Sequence, residues 1–150
     1  VGLTTPHNDP FARGMLIGIT RGTTEAHIAR ATLECIAFGI KDILDVVERE
    51  CSVKIEEIKI DGGASENNLL VQMLADYCDA RVSRPDTLEA TSLGAALMAA
   101  LYVNMIGLED VKNVLNTDQV FEPKIDPVLR DTRSQEWKEA VKRSLNWIRH

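Results

Sequence analysis

The stretch from Ile58 to Asn68 concentrates groups with chemistry to offer: a carboxylate at Asp61, adjacent glycines at Gly62 and Gly63, and an amide at Asn67. A carboxylate at a strand end can hold a metal or orient a substrate, but Asp also simply closes strand-to-glycine turns. Glycine accepts positive φ and, having no Cβ, lets a ligand lie against the backbone. The free N–H groups opening a following helix would face that ligand with partial positive charge. The Asn67 amide both donates and accepts, so it can bond a ligand's edge or cap the turn. The pattern is neither G-x-G-x-x-G nor G-x-x-x-x-G-K-[ST]. On these residues alone, a plain turn and a nucleotide-sized site both stay open.

Other candidates carry less. His7 and Asp9 could share a metal, but no second ligand cluster accompanies them, and loop polarity explains both. His27 has no Asp, Ser or Cys pattern nearby, so no catalytic role is expected of it. Arg13 and Arg21 flank an apolar run, where structural ion pairing is expected before phosphate binding. Cys35, Cys51 and Cys78 are odd in number and lack C-x-x-C spacing. Cys35 and Cys78 fall on helical apolar faces and read as buried, reduced thiols. No catalytic acid, base or nucleophile emerges.

The elements that must position these groups are legible from periodicity. Ile58 and Ile60 alternate with Lys59 and Asp61 as in a strand. A helix is expected to open at Ser65 and Glu66, with Leu69, Leu70, Met73, Leu74 and Tyr77 on its apolar face. Upstream, residues 1–13 read as loop and Met15 to Thr20 as a buried strand. Thr23 or Thr24 then caps a helix running to Glu50, with a stripe at Ile28, Thr32, Cys35, Ile36, Ile40, Ile43 and Val47. Gly39 inside it suggests a close packing contact, because glycine costs about 1 kcal/mol there relative to alanine. Downstream come a short strand, Ala80 to Ser83, ended by Arg84-Pro85, and a core helix, Glu89 to Leu101, with Leu93, Leu97 and Leu101 on one face. A brief helix is expected over Gly107 to Asn116 and an extended linker over Phe121 to Pro127. The last helix, Val128 to Arg149, carries Trp137, Val141, Leu145 and Ile148. This order implies an α/β fold with a mostly parallel sheet and flanking helices.

The 150 residues, 45% hydrophobic, suffice for one substantial core. A compact domain of this size would bury roughly 70% of its unfolded surface. The net charge is −6 and the 17 Lys and Arg are scattered, so the footprint of a nucleic-acid binder is missing. The longest apolar run, Leu93 to Val103, is about half of the ~20 residues of a membrane span. No secretory signal is visible, and the reading is cytoplasmic. Three strands with this much helix make a thin sheet, and the chain starts at Val1 without methionine. Both suggest a piece of a larger domain, with marginal stability and exposed apolar surface.

Taken together, the segments resemble the FGGY carbohydrate kinase family, in its glycerol kinase branch. The resemblance rests on Asp9-Pro10-Phe11-Ala12-Arg13-Gly14, Thr20-Arg21-Gly22-Thr23, His27-Ile28-Ala29-Arg30-Ala31, Leu33-Glu34 and Ile36-Ala37-Phe38. It continues through Asp61-Gly62-Gly63-Ala64 with Asn67, Gln72 and Asp76, then Arg84-Pro85, Glu89 and Leu93-Gly94-Ala95-Ala96. Gly2 to Val103 carry the match, and the tail through Trp137 and Ala140-Val141-Lys142-Arg143 is similar too. The resemblance implies that residues 1–150 are the carboxyl-terminal, nucleotide-side part of a ribonuclease H-like (actin-like ATPase) domain. It implies ATP and Mg2+ as cofactors and transfer of phosphate from ATP to glycerol. The glycerol site, catalytic base and phosphate-gripping loops would lie upstream, leaving this piece alone inactive. Gly63, Ala64 and Asn67 are implied to contact the adenine nucleotide, with Gly62 supplying the turn, and a homo-oligomer is implied for the intact protein. His7-Asn8 stands where an aromatic and Trp are usual, which admits a pentulose or other sugar kinase. A non-catalytic actin-like interaction module is the alternative from another class.

Overall fold

The computed structural model describes residues 2–86, 89–114 and 117–148. Its first helix, α1 (Glu25–Cys51), begins where the sequence offers a cap: the Thr24 N–H donates to His27 Nδ1 at 3.1 Å, and the Thr24 hydroxyl meets the same nitrogen at 2.9 Å. It stops at Ser52, which turns into the left-handed region at φ 53°. The strands are β1 (Glu57–Lys59), β2 (Arg81–Pro85) and β3 (Thr117–Phe121), side by side in that order. Helix α2 (Asn68–Cys78) crosses from β1 to β2, which are parallel with Ile58 opposite Val82. β3 returns antiparallel, Phe121 opposite Val82. Helices α3 (Ala90–Tyr102) and α4 (Leu108–Val114) separate β2 from β3. Helix α5 (Pro127–Ser144) closes the chain, its first turn capped by Asp126, whose carboxylate accepts from Leu129 N at 3.1 Å.

α2 is the centre of the molecule because it is apolar on two sides. One side, Val71, Leu74, Ala75 and Cys78, meets Ala80 and Val82 of the sheet region, with Ile40, Leu44, Ile58 and Phe121 around them. The other, Leu70, Met73 and Tyr77, meets Ala37 and Phe38 of α1, with Trp137 of α5 beside them. The Phe38 ring stacks on Tyr77 at 4.2 Å and on Trp137 at 5.5 Å. Asp76 fastens the approach to α5 by accepting from Lys124 N at 2.7 Å, while Gln72 donates to the Glu122 carbonyl at 2.9 Å.

Several expectations are corrected. Met15 to Thr20 forms no strand, and Leu16, Ile17 and Ile19 stand 61%, 55% and 60% exposed. A buried strand needs a neighbour to satisfy its N–H and C=O groups, and among the described residues none lies beside it. On α1, Leu33, Ala37, Phe38, Ile40 and Leu44 make the inward contacts. Most of the expected stripe (Ile28, Thr32, Cys35, Ile36, Ile43 and Val47) faces outward. The helix has two apolar sides, and the 3.6 period cannot tell which one α2 covers. Gly39 has no atom within 4 Å of where a Cβ would sit, so no close contact accounts for it. The sheet is mixed, since one of its two pairings is antiparallel; β3 was unrecognised, and Phe121 ends it instead of opening a linker. α3 forms as expected but buries none of its residues, and the space beside Gly94 is open. α5 stops at Ser144, before Leu145 and Ile148. Asn116 and Arg149, expected helix ends, lie outside the described residues.

The accessible surface is 10476 Å². A compact monomer of this mass, 16.6 kDa, would show about 7,600 Å². Burial is therefore about 56% of the unfolded surface, well short of the 70% expected of a compact domain, in keeping with the exposed apolar surface read from the thin sheet.

Candidate functional site

The site is built where β1 gives way to α2. The Ile60 N–H still donates to the Ser83 carbonyl at 3.1 Å, so the sheet aims the chain as far as Asp61, which is exposed. Gly62 then takes φ 86° and ψ 166°, a conformation open to glycine but strained for other residues. The expected α-helical start at Ser65 is instead a 3-10 turn, Gly63–Glu66. The Gly62 carbonyl holds that turn by accepting from Ser65 N at 3.0 Å and Ser65 Oγ at 2.6 Å. Ser65 is buried beneath it, whereas Gly63 and Ala64 are exposed, with nothing within 4 Å of a Cβ built on Gly63. The result is a bare ledge of backbone at the mouth of α2.

Asn67 closes the ledge. Its N–H donates to the Ala64 carbonyl at 3.2 Å, and its Oδ1 accepts from Leu69 N at 3.0 Å and Leu70 N at 3.1 Å. It is thus the N-cap of α2, and its Nδ2 group takes no part in that cap. Capping also explains the late start of α2: the side-chain oxygen competes for the first N–H groups and resolves the turn from the helix.

Beneath the turn lies a residue to which sequence reasoning gave no role in the site, taking it as a strand terminator and part of a family motif. Arg84, 8% exposed, donates from Nη1 to the Ser65 carbonyl at 2.6 Å and to Asn68 Oδ1 at 2.9 Å. Its Nη2 donates to Gln119 Oε1 of β3, and its guanidinium lies over the Phe121 ring at 5.5 Å. The signal was an Arg next to the buried Val82 and Ser83, since a charged side chain is rarely buried without partners.

The remaining candidates separate from this site. His7 does not join Asp9; its Nε2 meets Asp42 Oδ2 at 3.1 Å. Asp9 accepts from Asn146 N at 2.6 Å and Phe11 N at 2.8 Å. Those backbone donors, Asn146 first, hold its carboxyl below the usual carboxylate range. Arg13 bonds the carbonyls of Ala12 at 2.7 Å and Pro10 at 3.2 Å instead of an acid, and Arg21 is exposed. His27 is spent on the α1 cap. Cys78 is buried and its thiol is pushed up to about 12 by desolvation. Cys35, expected to be buried, is exposed because it sits on the uncovered side of α1, although neighbouring groups still raise its pKa by desolvation. Among the described residues no three His, Cys, Asp or Glu side chains are grouped to hold a metal. No helix among them is long and apolar enough to cross a membrane.

Two concavities lie away from the ledge. An apolar groove of about 370 Å³ runs between Leu16, Ile17, Ile19 and the start of α1 at His27 and Ile28. A polar hollow of about 440 Å³ is lined by Lys54, Glu56, Asp79, Arg81 and Glu122.

Comparison with known proteins places this geometry in context. Residues 1–103 match the model of the carboxyl-terminal domain of the FGGY family of carbohydrate kinases. Glycerol kinase 2 of Sulfolobus acidocaldarius is 48% identical over 149 residues, 99% of this chain and 30% of that protein. Glycerol kinase 2 of Saccharolobus solfataricus is 48% identical over 148 residues, again 30% of its length. The chain therefore spans about 30% of the curated relatives it matches. The crystal structure of Plasmodium falciparum glycerol kinase with ADP superposes with a TM-score of 0.86 at 34% identity, over 99% of this chain and 30% of that one. A ligand-bound xylulose kinase from Lactobacillus acidophilus, at 20% identity and a TM-score of 0.68 over 93% of this chain and 28% of that one, shares the fold.

Proposed function

The chain belongs to the FGGY family of carbohydrate kinases, and from that premise we propose that it forms the nucleotide side of a glycerol kinase. The reaction is transfer of the γ-phosphoryl group of ATP to a hydroxyl of glycerol, giving ADP and glycerol 3-phosphate. The observation that carries the reading is the bare ledge of Gly63 and Ala64 beside the uncommitted Nδ2 of Asn67. An exposed backbone with no side chain larger than a methyl accepts the flat face of a purine, and an amide donor at its edge fixes orientation. The chemistry of the ledge suits the uncharged base and ribose better than phosphates: Arg84 is turned inward, and Glu66 stands exposed in the turn. The named nucleotide-contacting residues are thus Gly63, Ala64 and Asn67.

Phosphoryl transfer is mostly positioning and charge stabilisation, and this chain's share is to hold the nucleotide's base. The acceptor site, base and phosphate loops belong to other parts of the protein, so residues 1–150 alone are expected to be inactive. Magnesium would neutralise charge on the phosphates. Among the described residues no three His, Cys, Asp or Glu side chains are grouped to hold it. The intact protein is read as a cytoplasmic homo-oligomer.

The test is a coupled ADP-release assay on the intact gene product with glycerol, xylulose, gluconate or no acceptor. Turnover with glycerol alone is the expected result. Turnover with a sugar instead would keep the ATP site and move the protein to a sister kinase, and silence on every acceptor would favour a non-catalytic module.

A further inference from the structure

We infer that Arg84 is a positioning residue for the nucleotide ledge, acting through the carbonyl of Ser65; this rests on the reading of the ledge as an adenine-nucleotide site. The 3-10 turn has two rims. The outer rim, Gly63 and Ala64, is exposed, and the inner rim is the buried Ser65. Arg84 grips the inner rim at 2.6 Å and the first residue of α2, Asn68, at 2.9 Å with one nitrogen, while the other nitrogen reaches Gln119 on β3. One buried cation therefore ties the turn, the helix start and the sheet edge into a single body. Its charge is answered by oxygen dipoles and by the Phe121 ring below it.

The arrangement makes the ledge's conformation depend on the fork. A buried carbonyl that loses its donor retains its full desolvation cost, and the turn can recover that cost by rotating Ser65 toward water. That rotation carries Ala64 and the Asn67 N–H with it, because the two are bonded at 3.2 Å. A lysine amine reaches one of these oxygens as a point donor but cannot span Ser65 and Gln119 as a planar fork. Gly62 fixes where the turn begins, and Arg84 fixes how deep it sits.

The experiment compares wild type, Arg84→Lys and Gln119→Leu in the intact gene product. It reads KM for ATP, KM for the acceptor, kcat, melting temperature and amide hydrogen exchange over residues 64–70. Arg84→Lys is expected to raise KM for ATP about tenfold, the worth of one charge-assisted hydrogen bond. kcat and the acceptor KM should stay within about twofold, the pattern of lost ground-state binding. Exchange at residues 64–70 should accelerate while that of α5 is unchanged. Gln119→Leu, which removes only the exposed arm, should give about a threefold rise in KM for ATP and covers the case in which Arg84→Lys does not fold. Unchanged KM for ATP in both variants, or equal losses in every kinetic parameter with a lower melting temperature, would overturn the positioning role. A wild type that binds no adenine nucleotide would instead overturn the kinase reading, and this inference with it.

Discussion

Trp137 Nε1 donates to Asp42 Oδ2 at 2.8 Å, joining α5 to α1 across 95 residues of sequence. The same oxygen meets His7 Nε2 at 3.1 Å, so one carboxylate, 8% exposed, gathers the amino-terminal loop and two helices. Removing it strands a half-buried indole N–H. Asp42→Ala is expected to lower the unfolding free energy by about 2 kcal/mol. His7→Ala removes a more exposed partner and should cost less than about 1 kcal/mol. Urea unfolding followed by tryptophan fluorescence measures both. Equal costs would mean that the histidine, and not the indole, carries the junction.

Asn67 has one observed duty and one proposed duty, and two substitutions separate them. Asn67→Ala loses the cap of α2 and should destabilise by about 1 kcal/mol while raising KM for ATP. Asn67→Ser keeps a capping oxygen but has no amide donor. It should melt within a degree or two of wild type, given that a few tenths of a kcal/mol shift a domain of this size only about that far, and still raise KM for ATP. If the serine variant keeps wild-type KM, the amide does not touch the nucleotide and Asn67 is a cap alone.

These two cases show what the sequence could and could not reveal. The extent of α1 was readable because Thr24 and His27 form a local cap and the apolar residues keep a helical period. The inward side of α1 was not, because the outward side carries Ile28, Ile36 and Ile43 against Ile40 alone inward, and only contact with α2 distinguishes them. Met15 to Thr20 has strand composition, but pairing is a property of a neighbour and not of the segment. β3 was missed because Thr-Asp-Gln-Val lacks alternation, and its place is fixed by pairing with β2. Asp61 to Asn67 was recognisable as a turn between strand and helix from its glycines, whereas Arg84 acts through a contact 19 residues back in the chain.

The three cysteines should behave differently toward alkylation and pH. Cys51 and Cys35 are exposed and Cys78 is buried, its thiol raised to about 12 from an ordinary value of 9.0 by desolvation. At pH 8, iodoacetamide should modify Cys51 readily, Cys35 more slowly because its own pKa is raised, and Cys78 only on unfolding. The raised value also sets a stability limit. Below pH 9 both folded and unfolded states hold the Cys78 proton, so its contribution is constant. Between about 9 and 12 the unfolded state has lost the proton that the folded state keeps, so stability falls as pH rises. Cys78→Ala should flatten that alkaline decline, and an unchanged slope in urea titrations from pH 8.5 to 10.5 would count against this assignment.

The exposed apolar residues near the amino terminus decouple surface character from stability. Leu16, Ile17 and Ile19 line an apolar groove with Ile28 and bury little of themselves. They should bind an apolar dye, and polar replacement there should cost little, since exposed substitutions usually stay within about 0.5 kcal/mol. Ile17→Ser with Ile19→Ser is therefore expected to lower dye fluorescence of residues 1–150 while leaving the urea midpoint in place. Val82→Ala, at a fully buried position between α2 and the sheet, should do the reverse, lowering stability by about 2 kcal/mol without reducing dye binding of the folded state. Should the double serine variant unfold at markedly lower urea, the segment from 15 to 20 would be packing against the fold far more than its exposure implies. Should dye binding persist unchanged, the responsible surface would be α3, whose Met98 and Tyr102 are exposed on a helix that buries nothing.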